Sequence, residues 1–171
     1  ATMHHAGEFG LGFDLVDALT GPLIGRPKSA TFRTGDVVGL DILAHVIETM
    51  RDTLPDDPWH SYYAVPGWLQ ALINSGALGQ KTKRGIYQKV GKEIQVLDLA
   101  TQKYRISAAT ADDGIKELLK RKNLADRFAA LRTNPDPQAQ FLWALFRDLF
   151  HYCAVHLAKI ADNARDLDFA M

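Results

Sequence analysis

The stretch that most restricts how this chain folds is Thr20–Asp41, Thr-Gly-Pro-Leu-Ile-Gly-Arg-Pro-Lys-Ser-Ala-Thr-Phe-Arg-Thr-Gly-Asp-Val-Val-Gly-Leu-Asp. Pro22 and Pro27 hold φ at about −65° and have no N–H to donate, so the loop is shaped locally. Such a segment suits a pocket wall. It contains no nucleophile, no metal cage and no phosphate-cradling glycine pattern. Asp36 is the expected N-cap of a helix reaching about Leu54. Val37, Leu40, Ala44, Ile47, Met50 and Leu54 recur at helical steps, and Val38, Ile42 and Val46 widen that stripe. So wide a face predicts burial on two sides, one of them against a second subunit.

The remaining pattern is mostly helical. Residues 1 to 19 read as two helices broken around Gly10-Leu-Gly12, with Asp14 as a candidate cap of the second and Gly21 at its end. Val65–Ile73 is a further helix, closed by Asn74-Ser-Gly-Ala-Leu-Gly79. Ile86-Tyr87, Ile94–Leu97 and Tyr104–Ile106 are β-prone pieces around Gly91, which predicts a small hairpin or ribbon. Beyond Ala111 come short helices marked by Ile115, Leu118 and Leu119, then by Leu124, Phe128 and Leu131. Thr133-Asn-Pro-Asp-Pro137 is the sharpest breaker, and Gln138–Asn163 follows as the longest helix. Its run Phe141–Phe146 is wholly apolar, so it is expected to be surrounded by protein.

Totals exclude several function classes. Twenty basic residues balance twenty acidic ones, so no global field draws in nucleic acid or an anionic membrane. No apolar run approaches the roughly 20 residues that cross a bilayer. One cysteine, Cys153, rules out an internal disulfide and fits the reducing cytoplasm; within an apolar helix face it reads as a buried, inert thiol. The 171 residues suffice for a hydrophobic core. Ala1 and Met171 are expected to bound a piece of a longer chain.

Little here points to chemistry. His4 and His5 are neighbours, about 100° apart around a helix, and His151 and His156 lie on different faces, so no metal site is expected. His45 follows Asp41 by one turn, which predicts a helical side-chain pair. Asp56-Asp57 and Asp112-Asp113 stand at helix edges, where carboxylates cap or are solvated more often than they catalyse. Lys81, Lys83, Arg84, Lys89, Lys92, Lys103 and Arg105 make a basic ribbon that reads as a solvated face, because aromatic residues are sparse within it. Arg26, Lys28 and Arg33 are the better candidates for an anionic ligand. No Gly-x-Gly-x-x-Gly follows a strand, so no dinucleotide cradle is present.

The Gly-Pro loop leading to Asp36-Val-Val-Gly-Leu-Asp41 resembles the C-terminal domain of the NAD-dependent 3-hydroxyacyl-CoA dehydrogenases. Gly79-Gln-Lys-Thr-Lys-Arg-Gly-Ile-Tyr87 is similar to that family's Gly-x-Lys-(x)n-Gly-Phe-Tyr segment, with Ile86 where Phe is usual. The insert Ile24–Arg33 resembles the long, multifunctional fatty-acid-oxidation members. The resemblance implies a mainly α fold, of the 3-hydroxyacyl-CoA dehydrogenase or 6-phosphogluconate dehydrogenase C-terminal type, with a small β-hairpin. It implies residues 1–110 as a first helical repeat, 111–135 as connecting helices and 136–171 as the start of a truncated second repeat.

It also implies the parent reaction, oxidation of an L-3-hydroxyacyl-CoA to the 3-ketoacyl-CoA in fatty-acid β-oxidation. NAD and the reactive His-Glu pair belong to a preceding Rossmann domain. The family's assisting Asn has no match here, since Asn74, Asn123, Asn134 and Asn163 stand elsewhere, so no catalytic residue carries over. What remains is one wall of the acyl pocket, Pro22, Leu23, Ile24, Gly25, Arg26 and Pro27, and a homodimer contact on the helix after Asp36. The competing class is a non-catalytic helical module for dimerisation or acyl-CoA binding.

Overall fold

A left-handed glycine ends the first helix after two turns. Gly10 takes a φ of +64°, a conformation glycine adopts without steric cost, and α1 (Thr2–Glu8) gives way to α2 (Phe13–Thr20). The computed structural model describes residues 1–170; Met171, the last residue of the expected second repeat, lies outside them. Gly21 terminates α2 as expected, and Pro22–Ile24 form one 3-10 turn.

The expected helix from Asp36 is corrected by a break. Asp36 lies inside α3 (Phe32–Val38), and α4 (Leu40–Thr53) starts only after Gly39. Gly39 has a φ of +108°, which forces the chain to turn between the two helices. The stripe divides with it. Leu40 and Ala44 are buried, whereas Val37, Val38, Ile42, Val46 and Leu54 are exposed. Asp41 pairs with Lys81 at 2.6 Å rather than with His45.

α5 (Gly67–Asn74) packs on α4, and then the chain forms an antiparallel sheet in the order β1 (Tyr87–Val90), β2 (Glu93–Asp98), β3 (Lys103–Ile106). Tyr87 stands opposite Val96, and Val96 opposite Arg105. The expected ribbon therefore has a third strand. Burial does not alternate strictly along any of the three strands; in β2 the neighbours Val96 and Leu97 are both buried.

The second half is α6 (Asp113–Leu119), α7 (Leu124–Thr133), α8 (Pro137–Ile160) and α9 (Ala164–Ala170). Pro137 occupies the first turn of α8, where a missing N–H costs nothing. Phe141, Leu142, Ala144 and Leu145 are buried, but Phe150, Val155 and Ile160 are exposed. Protein thus encloses only the first half of this helix. Cys153 is half-buried rather than buried.

One buried cluster joins the two halves: Phe13, Val16 and Leu19 of α2, Phe32, Leu40, Leu69, Val96, Ile115, Phe141 and Leu142. Phe13 is its centre, edge-on to Phe32 at 4.5 Å and to Trp68 at 4.8 Å. Each such side chain contributes about 1.5–3 kcal/mol through burial. Among the described residues no helix is long and apolar enough to cross a membrane.

Candidate functional site

Two buried carboxylates organise the region around the Gly-Pro loop. Asp17 projects from α2 to the start of α3, a helix with no side-chain cap of its own. Its Oδ1 accepts from the N–H groups of Thr31 at 3.0 Å and Phe32 at 2.6 Å, and its Oδ2 accepts from Arg33 N–H at 3.0 Å. A residue from a different helix therefore satisfies the unpaired donors of α3. The Tyr87 hydroxyl donates to the same Oδ2 at 2.8 Å.

Asp36 performs a parallel task. Its Oδ1 accepts from Ile86 N–H at 2.8 Å and its Oδ2 from Tyr87 N–H at 2.7 Å. Gly79 and Gly85 are required by this contact. A Cβ on Gly79 would overlap the Asp36 backbone, and one on Gly85 would overlap the Asp36 carboxylate and lie 2.6 Å from Gly79 Cα. Lys81 Nζ reaches both oxygens of Asp41, at 2.6 and 2.7 Å, and Leu40 N–H donates to Leu78 C=O. The segments 36–41 and 79–87 thus form one lock.

Burial raises the carboxyls of Asp17 and Asp36 above the usual range, against the opposing pull of their backbone donors. Burial, with Asp17 beside it, pushes the Tyr87 phenol up. The Arg33 guanidinium lies 4.6 Å over the Tyr87 ring, which adds a cation–π contact to the lock.

Beside the lock opens a cavity of about 600 Å³, with Arg33, Asp36, Lys83, Tyr87, Lys89 and Ile94 among its walls. Cationic heads above apolar stems suit a ligand with an anionic group and a hydrophobic part. Lys83 stands there with a φ of +58°, uncommon for a residue with a Cβ.

The six loop residues do not converge on that cavity. Leu23 and Ile24 are half-buried against the core, while Pro22, Gly25 and Pro27 are exposed. Arg26 alone lines a second cavity, of about 300 Å³, with Met50, Trp59, Tyr63, Asp148 and Tyr152. The basic trio is accordingly split: Arg33 faces the first cavity, Arg26 the second, and Lys28 is exposed.

The basic ribbon divides too. Lys83 and Lys89 line the first cavity, Lys81 belongs to the lock, and Arg105 forks onto Asp14 with both distances 2.8 Å. Asp14 is thus an ion-pair partner and not the cap of α2, whose N-cap is Gly12. Asp112 does cap, accepting from Gly114 N–H at 2.7 Å.

Nothing local in the sequence marks Asp17, because its partners lie 14 to 70 positions away. The cluster around Asp57 was equally hidden. Trp59 N–H donates to Asp57 at 2.7 Å, Tyr152 OH donates to it at 3.1 Å, and His156 Nε2 lies 3.2 Å off. The density of aromatic and histidine residues in Trp59-His-Ser-Tyr-Tyr63 and His151–His156 was the available signal.

The profile of the family described as 3-hydroxyacyl-CoA dehydrogenase, C-terminal domain, matches residues 4–89, which include both halves of the lock. The chain is 36% identical to a probable 3-hydroxyacyl-CoA dehydrogenase of Bacillus subtilis, over 91% of its own length and 20% of that protein. A probable 3-hydroxyacyl-CoA dehydrogenase of Deinococcus radiodurans is 40% identical over 53% of the chain and 25% of that protein. A putative fatty acid oxidation complex trifunctional enzyme of Rickettsia felis is 22% identical over 94% of the chain and 22% of that protein. The chain therefore spans a fifth to a quarter of the length of these relatives. No solved structure matches it.

Proposed function

Because the chain belongs to the 3-hydroxyacyl-CoA dehydrogenase C-terminal domain family, we propose that it is the helical back half of an NAD-dependent L-3-hydroxyacyl-CoA dehydrogenase of fatty-acid oxidation. The parent oxidises the 3-hydroxyl of an acyl-CoA to the ketone, in the cytoplasm. The observation that carries this reading is the lock: the two segments that resemble the family meet as one structural unit around Asp36.

NAD does not fit the described residues. A dinucleotide cradle needs a parallel βαβ unit with a glycine-rich turn, and the strands here form one antiparallel sheet. We assign the cofactor to a preceding Rossmann domain and derive no step through it. The chain's own share is one wall of the acyl pocket, Pro22, Leu23, Ile24, Gly25, Arg26 and Pro27, and a subunit contact on the exposed valine and isoleucine face of α3 and α4. Residues 1–110 form one repeat, 111–135 connect, and 136–171 open a second.

The test is activity by parts. Hydride transfer requires cofactor and substrate in near-attack geometry, so the purified chain gives no NADH turnover with acetoacetyl-CoA, and a version extended upstream through a Rossmann domain does. Turnover by the chain alone refutes the reading, as does an unrelated neighbour in the upstream coding sequence. Light scattering at tens of micromolar checks the homodimer; a monomeric mass removes the subunit contact.

A further inference from the structure

A polar cluster on α1, away from the lock, carries chemistry that the dehydrogenase reading does not use. His5 is 2% exposed. Its Nε2 lies 2.7 Å from Asp148 Oδ2 on α8, and its Nδ1 lies 2.9 Å from Glu8 Oε2. A neutral imidazole has one N–H. Whichever nitrogen bears it, the lone pair of the other faces a carboxylate oxygen at hydrogen-bond distance. A metal ion bound on the Glu8 side would take that lone pair and leave the other nitrogen's N–H to Asp148.

We propose that His4, His5 and Glu8 form a binding site for a divalent first-row transition-metal ion such as zinc, with Asp148 orienting His5 from behind. Donor atoms of the three residues all lie within 4.8 Å of one another. Adjacent histidines diverge on a helix, which is why the sequence argues against a metal here. Glu8 changes that geometry, because it is three residues from His5 and four from His4 and so neighbours both on the helix surface. Stacking of the His4 ring on Tyr62, at 4.2 Å between centroids, restricts its motion.

The second sphere is also in place. A metal-bound imidazole typically donates its other N–H to a carboxylate, which fixes its tautomer and raises its basicity. Asp148 is 6% exposed and supplies that acceptor, and Arg147 Nε donates to its other oxygen at 2.7 Å. Two imidazoles and one carboxylate favour zinc, cobalt, nickel or copper over magnesium or calcium, which take oxygen ligands. His4 and Glu8 are exposed, leaving a fourth position for water. Through His5 and Asp148 the ion would fasten α1 to α8.

Isothermal titration of the chain with zinc chloride tests this, with cobalt(II) absorption as a second readout of ligand geometry. One equivalent binds with micromolar or tighter affinity, and thermal unfolding shifts upward. His4→Ala and Glu8→Gln, both at exposed positions, each weaken binding about tenfold or more, and Asp148→Asn weakens it about 10- to 100-fold. Cys153→Ser and His156→Ala leave it unchanged. Absence of saturable binding overturns the proposal, as does binding that survives His4→Ala and Glu8→Gln or disappears with Cys153→Ser. None of these outcomes depends on the dehydrogenase reading.

Discussion

The helices of the two halves solve the same problem, unpaired N–H groups at their starts, in opposite ways. In the second half the cap is local. Asp112 caps α6, Asn123 caps α7 and Asp136 caps α8, each accepting from an N–H two or three residues on. In the first half, α2, α3, α4 and α5 have no side-chain cap. Asp17 reaches α3 from another helix, and the Asp36 carboxylate accepts from Ile86 and Tyr87, 50 and 51 residues away. The second half is thus a set of helices that start themselves and then pack, whereas the first is one interdependent unit.

Substitutions separate these two modes. Gly85→Ala has the largest expected effect. Its methyl overlaps Asp36 and crowds the Gly79 backbone, neither of which can move without opening the lock. We expect a loss of about 4 kcal/mol or more, read by urea denaturation followed by circular dichroism. A loss under 1 kcal/mol would mean that the lock yields easily. Asp36→Ala follows. It strands the Ile86 and Tyr87 amides, and at roughly 1–3 kcal/mol for each buried unpaired donor the cost is about 3 kcal/mol. Hydrogen exchange at those two amides should accelerate in step with it.

The same contrast explains what the sequence made legible. The helices of the second half were readable because their signals are local: the Thr133–Pro137 breaker before α8, the spacing of Ile115, Leu118 and Leu119, and the carboxylates at the start of α6. The misreadings fall where chemistry is non-local. Asp36 precedes an apolar stripe and so looks like an N-cap, yet its partners are Ile86 and Tyr87. Asp14 looks like a cap and instead holds Arg105, 91 positions away. The Gly-Pro loop and the Gly79–Tyr87 segment were visible as motifs, but no periodicity says that they touch. The loop's candidate residues then part company because Leu23 and Ile24 turn inward while Arg26 turns toward Trp59 and Tyr152.

Acid sharpens the comparison within the first half. Burial alone would raise the Asp14 carboxyl, but the Arg105 fork and the Ala109 N–H outweigh it and hold it below the usual range. A lowered carboxyl stabilises the fold above its unfolded value of about 3.9 and loses that contribution as pH falls through the folded value. Asp17 and Asp36 are raised, so their contribution has the opposite sign, complete below about pH 3.9 and lost as pH rises through their folded values. Asp14→Asn should therefore cost about 2 kcal/mol at pH 7 and progressively less below pH 4. Thermal unfolding at pH 7 and pH 3 checks this. A gap that widens in acid contradicts the Arg105 assignment.

The smallest effect belongs to a local cap. Asp136 accepts from Gln138 N–H at 2.7 Å, and Pro137 already presets the first turn of α8. Asp136→Ala should cost about 1 kcal/mol and leave exchange at the Ile86 and Tyr87 amides unchanged, because none of their partners lies on α8. Equal losses from Asp136→Ala and Asp36→Ala would erase the distinction between self-starting helices and an interdependent lock. A local loss at α8 alone, beside a global one at Asp36, would establish that the family's two signature segments serve first as a folding contact.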